Sequence, residues 1–154
     1  LTSPTLNSRY VNFIGSNYKI SEFTAILGIL ELERIKKRIK KRNQIVMRYI
    51  KNLKNNKNYE VILQKNGVCS YYKCIIKTKI NAKIIEKYCK KNKINLTGQV
   101  WKIPVHKQKV FLKYTKKKKF NNADHFSEHH ICPPNYPELT FKEIDYVSSI
   151  LNKI

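Results

Sequence analysis

The chain has 154 residues, of which 32 are Lys or Arg and 10 are Asp or Glu, giving a formal net charge of +22. Hydrophobic residues make up 42% and aromatics 11%, enough apolar surface for a core, which excludes global disorder; the length suits one domain or part of a larger one. No apolar run approaches the roughly 18 residues of a membrane span, since Phe23 to Leu32 is broken by Gly28 and Glu31, and the first residues show no signal or transit pattern.

Residues 1–20 read as irregular, with Pro4 and then Gly15-Ser16-Asn17. Ser21 is a good N-cap and Glu22 suits the positive end of a helix. Thr24 stands where a full capping box has Glu or Gln. No proline follows until well past Leu53, and apolar residues recur in three- and four-residue steps. They fall at Phe23, Ile26, Leu27, Leu30, Leu32, Ile35 and Ile39, then at Ile45, Val46, Tyr49, Ile50 and Leu53. This predicts one long helix over 21–53, with a bend near residue 42 where the stripe drifts.

Lys54 to Asn58 reads as a polar turn. Tyr59–Leu63 and Ser70–Thr78 read as strands joined through Lys65-Asn66-Gly67. Tyr72, Cys74 and Ile76 would share one face of the second strand. Residues 81–93 read as an amphipathic helix with Ile84, Ile85, Tyr88 and Cys89 inward. A strand is expected over Ile94–Val100, then a loop or strand edge from Trp101 to His106, a charged loop over Lys113–Lys119 and a short helix over Ala123–Ile131. Pro133-Pro134-Asn135-Tyr136-Pro137 is a rigid, non-helical link. Thr140 and Glu143 form a capping box that starts a last helix from Phe141 to about Asn152. The pattern is an α/β fold: a small sheet covered by helices.

Composition tempers the charge. The chain holds 27 Lys, 20 Ile and 16 Asn, together 63 of its residues, but only 5 Arg. All three abundant types have A/T-rich codons, so a biased genome produces this balance without selection for polyanion binding, and a phosphate reader favours Arg. The basic run Arg34, Lys36, Lys37, Arg38, Lys40, Lys41 and Arg42 therefore reads first as a solvated helix face. Cys69, Cys74, Cys89 and Cys132 are too scattered for a disulfide scaffold and read as reduced thiols of a cytosolic protein. His125, His129, His130 and Cys132 cluster in sequence, but the gap to Cys69 and Cys74 does not make a zinc pattern. No Ser/His/Asp set, phosphate loop or paired-carboxylate motif is present.

Two stretches carry a resemblance. Gly15-Ser16-Asn17-Tyr18-Lys19-Ile20-Ser21-Glu22, running on through Ala25 and Gly28 to Arg38, Lys41-Arg42 and Tyr49, resembles G-x-N-Y-R-M-S-E-L-Q-A-A-x-G and its basic continuation. Pro104-Val105-His106-Lys107-Gln108 is similar to P-L-H-x-Q. Phe120–Ala123 and Pro134–Ile144 are similar to F-P-x-A-E and L-P-x-h-P-x-L-T-x-E-E-I. In order and spacing these resemble the C-terminal half of the DegT/DnrJ/StrS family of sugar aminotransferases, over about residues 9 to 150.

The resemblance implies the aspartate-aminotransferase-like fold, with pyridoxal 5'-phosphate (PLP) in a large domain at the interface of a homodimer. Residues 1–20 would end that large domain, 21–53 would be the long connecting helix, and 54–154 the small C-terminal α/β domain. Asn17 would reach across the dimer to the neighbouring subunit's cofactor phosphate. His106, with Tyr18 and Lys19, would face the substrate, a nucleotide-linked keto-sugar aminated from a donor such as glutamate in surface-polysaccharide or amino-sugar synthesis. A cytoplasmic location is implied, with no membrane partner, and nucleic acid is not the expected partner.

Departures from the family pattern are specific. Lys19 stands where Arg is commoner, Thr24 and Ile26 replace Gln and the second Ala, and Pro133 replaces Leu. The family's imine-forming Lys precedes this region, and none of the 27 lysines matches it, so the chain alone is expected to be inactive. The alternatives are a basic α/β module binding nucleic acid or another polyanion, and a non-catalytic relic. A chain isolated from the rest of a large domain would expose the apolar face of its first fifty residues.

Overall fold

The computed structural model describes residues 19–115 and 118–154. The backbone divides into two units, one ending at Arg34 and one spanning Ile35–Ile154. Helix α1 is Glu22–Leu53. Ser21 caps it: its Oγ accepts from the Thr24 amide at 3.3 Å and meets the Thr24 hydroxyl at 2.8 Å. The helix continues without interruption through Arg42, where the drifting stripe suggests a bend.

In the first unit the apolar side chains of α1 lie open. Phe23 is 83% exposed and Leu27 63% exposed, and Ile26, Leu30 and Leu32 are exposed too.

In the second unit the later turns of α1 bury Ile45, Val46, Tyr49 and Leu53. These meet Cys74, Ile76, Ile85, Cys89, Ile131, Ile144 and Leu151 in one core. Each fully buried aliphatic contributes about 1.5–3 kcal/mol by leaving water. The Tyr49 hydroxyl donates to the Pro134 carbonyl at 3.0 Å, and burial pushes its pKa up.

Three short strands form an antiparallel sheet in the order β1 (Tyr59–Val61), β2 (Ile76–Thr78), β3 (His130–Ile131). Tyr59 faces Thr78, and Ile76 faces Ile131. β1 and β2 are shorter than the sequence pattern predicts. Tyr71 sits at φ 43, off the extended conformation, and one further bond from Ile62 N–H to the Ile75 carbonyl at 2.9 Å ends the ladder. Cys74 and Ile76 are buried as expected, while Tyr72 is exposed.

Helix α2 (Ala82–Lys91) follows, capped by the Asn81 side chain on the Lys83 amide. It stops where Lys93 turns to φ 58. Ile94 N–H then bonds the Cys89 carbonyl at 2.9 Å and Lys93 N–H the Lys90 carbonyl at 3.1 Å, the paired bonds of a Schellman end.

Ile94–Val100 is not a strand. Thr97 N–H does bond the Cys132 carbonyl at 2.9 Å, but Gly98 turns away at φ 73 and Val100 N–H goes to a histidine side chain. Beyond it lie a short helix α3 (Leu112–Thr115), where a charged loop is predicted, and α4 (Asn121–Glu128). The last helix is α5 (Phe141–Leu151), and its capping box is present: Thr140 Oγ1 accepts from Glu143 N–H at 3.3 Å, and Glu143 Oε2 accepts from Thr140 N–H at 2.8 Å. The expected helix over Ala123–Ile131 ends early because His130 and Ile131 turn out to pair with β2.

Arg48 ties α1 to α5. Its Nε and Nη2 donate to the two Asp145 oxygens at 2.8 and 2.7 Å, and Asn52 donates to Asp145 Oδ1 at 2.7 Å. The Arg48 and Asn52 hydrogen bonds hold the Asp145 carboxyl down at about 2, below its ordinary 3.8. A depressed carboxylate stabilises the fold fully above its unfolded pKa and loses that contribution as pH falls through the folded value. Arg48→Ala is therefore expected to lower the urea midpoint at neutral pH. Its deficit should shrink below pH 3.8 and vanish as pH falls through about 2, measured by denaturation across that range.

Candidate functional site

Pro104 sets an extended-to-helical entry at φ −57, and a 3-10 turn over Val105–Lys107 follows, closed by Lys107 N–H on the Pro104 carbonyl at 2.9 Å. A second such turn, Lys109–Phe111, leads into α3. The segment read as a loop or strand edge is thus a compact series of turns. Thr115 at the end of α3 donates to the His106 carbonyl at 2.8 Å, which fastens the turn from below.

The His106 side chain is 14% exposed. Its ring lies 4.8 Å from the Phe120 ring at 30°. Its Nε2 is 2.9 Å from Asp124 Oδ1, and Lys107 Nζ reaches the same oxygen at 2.7 Å. Asp124 stands in the first turn of α4, its amide bonded to the Phe120 carbonyl at 3.0 Å. The Lys107 hydrogen bond above all, with the charge of Lys107, holds the Asp124 carboxyl below the usual range. Sequence reading picked out His106 but not Asp124 or Lys107. The available signal was the acidic residue that follows Phe120–Ala123, at the last position of F-P-x-A-E.

His106 lines a cavity of about 450 Å³ whose walls are almost wholly apolar. Trp101, Phe111, Tyr114, Phe120 and Phe126 give it five aromatic faces. Such walls suit a ligand with apolar or ring faces, and the few polar atoms set its orientation.

The approach to this cavity is held by side chains. Lys73 Nζ donates to the carbonyls of Thr97 and Gln99 at 3.3 and 3.1 Å. The Gln99 side-chain amide donates to the carbonyls of Ser127 and His130. Val100 N–H donates to His130 Nε2 at 3.0 Å, and His130 Nδ1 donates to the Phe126 carbonyl. His130 is fully buried and stacked on Phe126 at 4.3 Å, and burial lowers its pKa. Both nitrogens are engaged, so this histidine is a neutral structural link.

The remaining cluster members do other work. The His125 and His129 rings stack at 4.3 Å. Cys132 is buried and its thiol is pushed up to about 11 by desolvation, as Cys74 is to about 12. Among the described residues no group of three or more His, Cys, Asp or Glu could hold a metal ion.

Of the other expected site residues, Asn17 and Tyr18 lie outside the described residues. Lys19 is exposed just before α1, in the unit that ends at Arg34, and His106 belongs to the other unit.

The sequence model of the DegT/DnrJ/EryC1/StrS aminotransferase family matches residues 3–152. The chain belongs to this family. No curated protein matches it in sequence. Solved structures share its fold at low identity. Helicobacter pylori PseC, an aminotransferase involved in pseudoaminic acid biosynthesis, is 18% identical with a TM-score of 0.84, covering 99% of this chain and 42% of PseC. DesV of S. venezuelae is 13% identical with a TM-score of 0.85, covering 96% of this chain and 40% of DesV. The E. coli GDP-4-keto-6-deoxy-D-mannose-3-dehydratase with bound hydrated PLP is 20% identical with a TM-score of 0.67, covering 84% of this chain and 35% of the dehydratase. The chain thus spans about two fifths of the length of such family structures and has the fold of the corresponding part.

The described residues do not fit PLP by themselves. An imine-forming lysine must be enclosed and readily neutral, yet no described lysine is buried. The aromatic cavity has neither a lysine nor a carboxylate on its walls.

The Lys107–Asp124 contact has a direct test. Lys107→Ala is expected to let the Asp124 carboxyl titrate closer to its ordinary 3.8, followed by carbonyl-carbon NMR. An unmoved Asp124 titration would remove Lys107 from the site.

Proposed function

We propose that this chain is the C-terminal part of a PLP-dependent aminotransferase that aminates a nucleotide-linked keto-sugar, with glutamate as a typical donor. The product would enter surface polysaccharide or another amino sugar. The family match along residues 3–152 carries this reading. Residues 1–20 would close the large cofactor domain, 21–53 would connect the domains, and 54–154 would form the small domain. The open apolar face of Phe23, Ile26, Leu27 and Leu30 supports this division, because such a face marks a surface made to be covered.

PLP, when bound, supplies the electron sink and the carrier for the amino group. The lysine that holds it and the carboxylate facing its ring nitrogen would come from the large domain. This chain would contribute the Asn17 amide, a neutral donor to the cofactor phosphate of the other subunit in a homodimer. Tyr18, Lys19 and His106 would face the sugar, and the aromatic cavity beside His106 would exclude water from it. A cytoplasmic enzyme is the corresponding expectation; no described helix is long and apolar enough to cross a membrane.

The donor half of the reaction needs no knowledge of the sugar. The intact protein loaded with PLP and mixed with glutamate should release 2-oxoglutarate stoichiometric with cofactor. No oxo-acid from any common amino acid, or a sugar product that loses a hydroxyl without gaining nitrogen, would overturn the proposal. A hydrogen bond to a charged group contributes about 1.5–3 kcal/mol, so Asn17→Ala should weaken PLP retention roughly ten- to hundredfold. Equal retention would remove Asn17 from the cofactor site.

A further inference from the structure

His106 is held on three sides by contacts within the chain. Thr115 fixes its backbone carbonyl, Phe120 lies against its ring, and Asp124 engages Nε2. Its remaining polar atom, Nδ1, has no hydrogen-bond partner among the described residues. Whether that atom is a donor or an acceptor sets what the His106 ring can offer a ligand.

An ionised carboxylate accepts hydrogen bonds and donates none. Asp124 Oδ1 receives two contacts, Lys107 at 2.7 Å and His106 Nε2 at 2.9 Å. The His106 contact is a hydrogen bond only if Nε2 carries a proton. Lys107 supplies the positive charge that Asp124 pairs with, so the histidine can answer with a hydrogen bond rather than a second charge. A neutral imidazole has one N–H, and placing it on Nε2 leaves a lone pair on Nδ1.

We propose that Asp124 and Lys107 are positioning residues that lock His106 as its Nε2–H tautomer, which leaves Nδ1 as a hydrogen-bond acceptor. A group that meets Nδ1 is then a donor, a hydroxyl or an N–H, and not a phosphate or ketone oxygen. The aromatic walls around it suit the C–H faces of a sugar ring. That a sugar hydroxyl is the donor rests on the aminotransferase reading above; the tautomer does not.

The test reads protonation, not turnover. The intact protein is labelled with 15N-imidazole histidine, and the ring resonances of His106 are assigned by their loss in His106→Gln. At neutral to mildly alkaline pH the expected pattern is a protonated Nε2 and a bare Nδ1. In Asp124→Ala the single tautomer should be lost to a mixture, and Asp124→Glu should restore it. A wild-type ring protonated on Nδ1 alone, or an unchanged pattern in a folded Asp124→Ala, would overturn the proposal. Where the variant fails to fold, the wild-type ring must show the Nε2–H form alone, without the Nδ1–H minority that a free histidine carries in water, and a mixture would overturn the proposal. Because no substrate is added, this result is independent of whether the protein aminates a sugar.

Discussion

From Ile94 to Pro104 the backbone belongs to no helix or strand, yet this stretch carries Trp101 to the cavity and leads into the turn that holds His106. A segment without a ladder must satisfy its buried polar groups by other means. Here long side chains do so. Lys73 gathers carbonyls of residues 97–99, Gln99 reaches across to residues 127 and 130, and the neutral ring of His130 receives the Val100 amide. His130 is also part of β3 and follows α4 directly. The same residue therefore ties the approach segment to the sheet and to the helix that carries Asp124.

Helix α1 shows how one amphipathic pattern can serve two ends. Its later turns bury Ile45, Val46, Tyr49 and Leu53 in the core and fasten Arg48 to Asp145. Its earlier turns carry side chains just as apolar, spaced in the same way, and leave them open. Propensity does not distinguish the two halves. What differs is the presence of covering elements, which suits a helix that connects one domain to another. The charge of the chain needs no polyanion in this reading, since it follows composition and the family match accounts for the motifs.

Local signals were legible in the sequence and long-range ones were not. The Thr140–Glu143 capping box and the Ser21 start each act within four residues, and each appears where the residues suggest. The strand expected over Ile94–Val100 failed because Gly98 turns the backbone and His130, thirty residues away, takes the Val100 amide. The helix expected to Ile131 stopped early because β2, reached only in the fold, claims residues 130 and 131. His106 was legible through Pro104-Val105-His106-Lys107-Gln108. Its partner Asp124 is 18 residues on, and nothing in periodicity connects them. The fold class was readable, since helix order and the motifs agree with family members that share it.

In the proposed division of labour, the small domain and the His106 cavity belong to this chain and the cofactor lysine lies outside it. That division is tested most directly by reducing the PLP-loaded intact protein with borohydride, which fixes the cofactor to the lysine that holds it, and mapping the labelled peptide by mass spectrometry. The account predicts a label on a lysine outside these 154 residues. A label on any of the 27 lysines of this chain would contradict it.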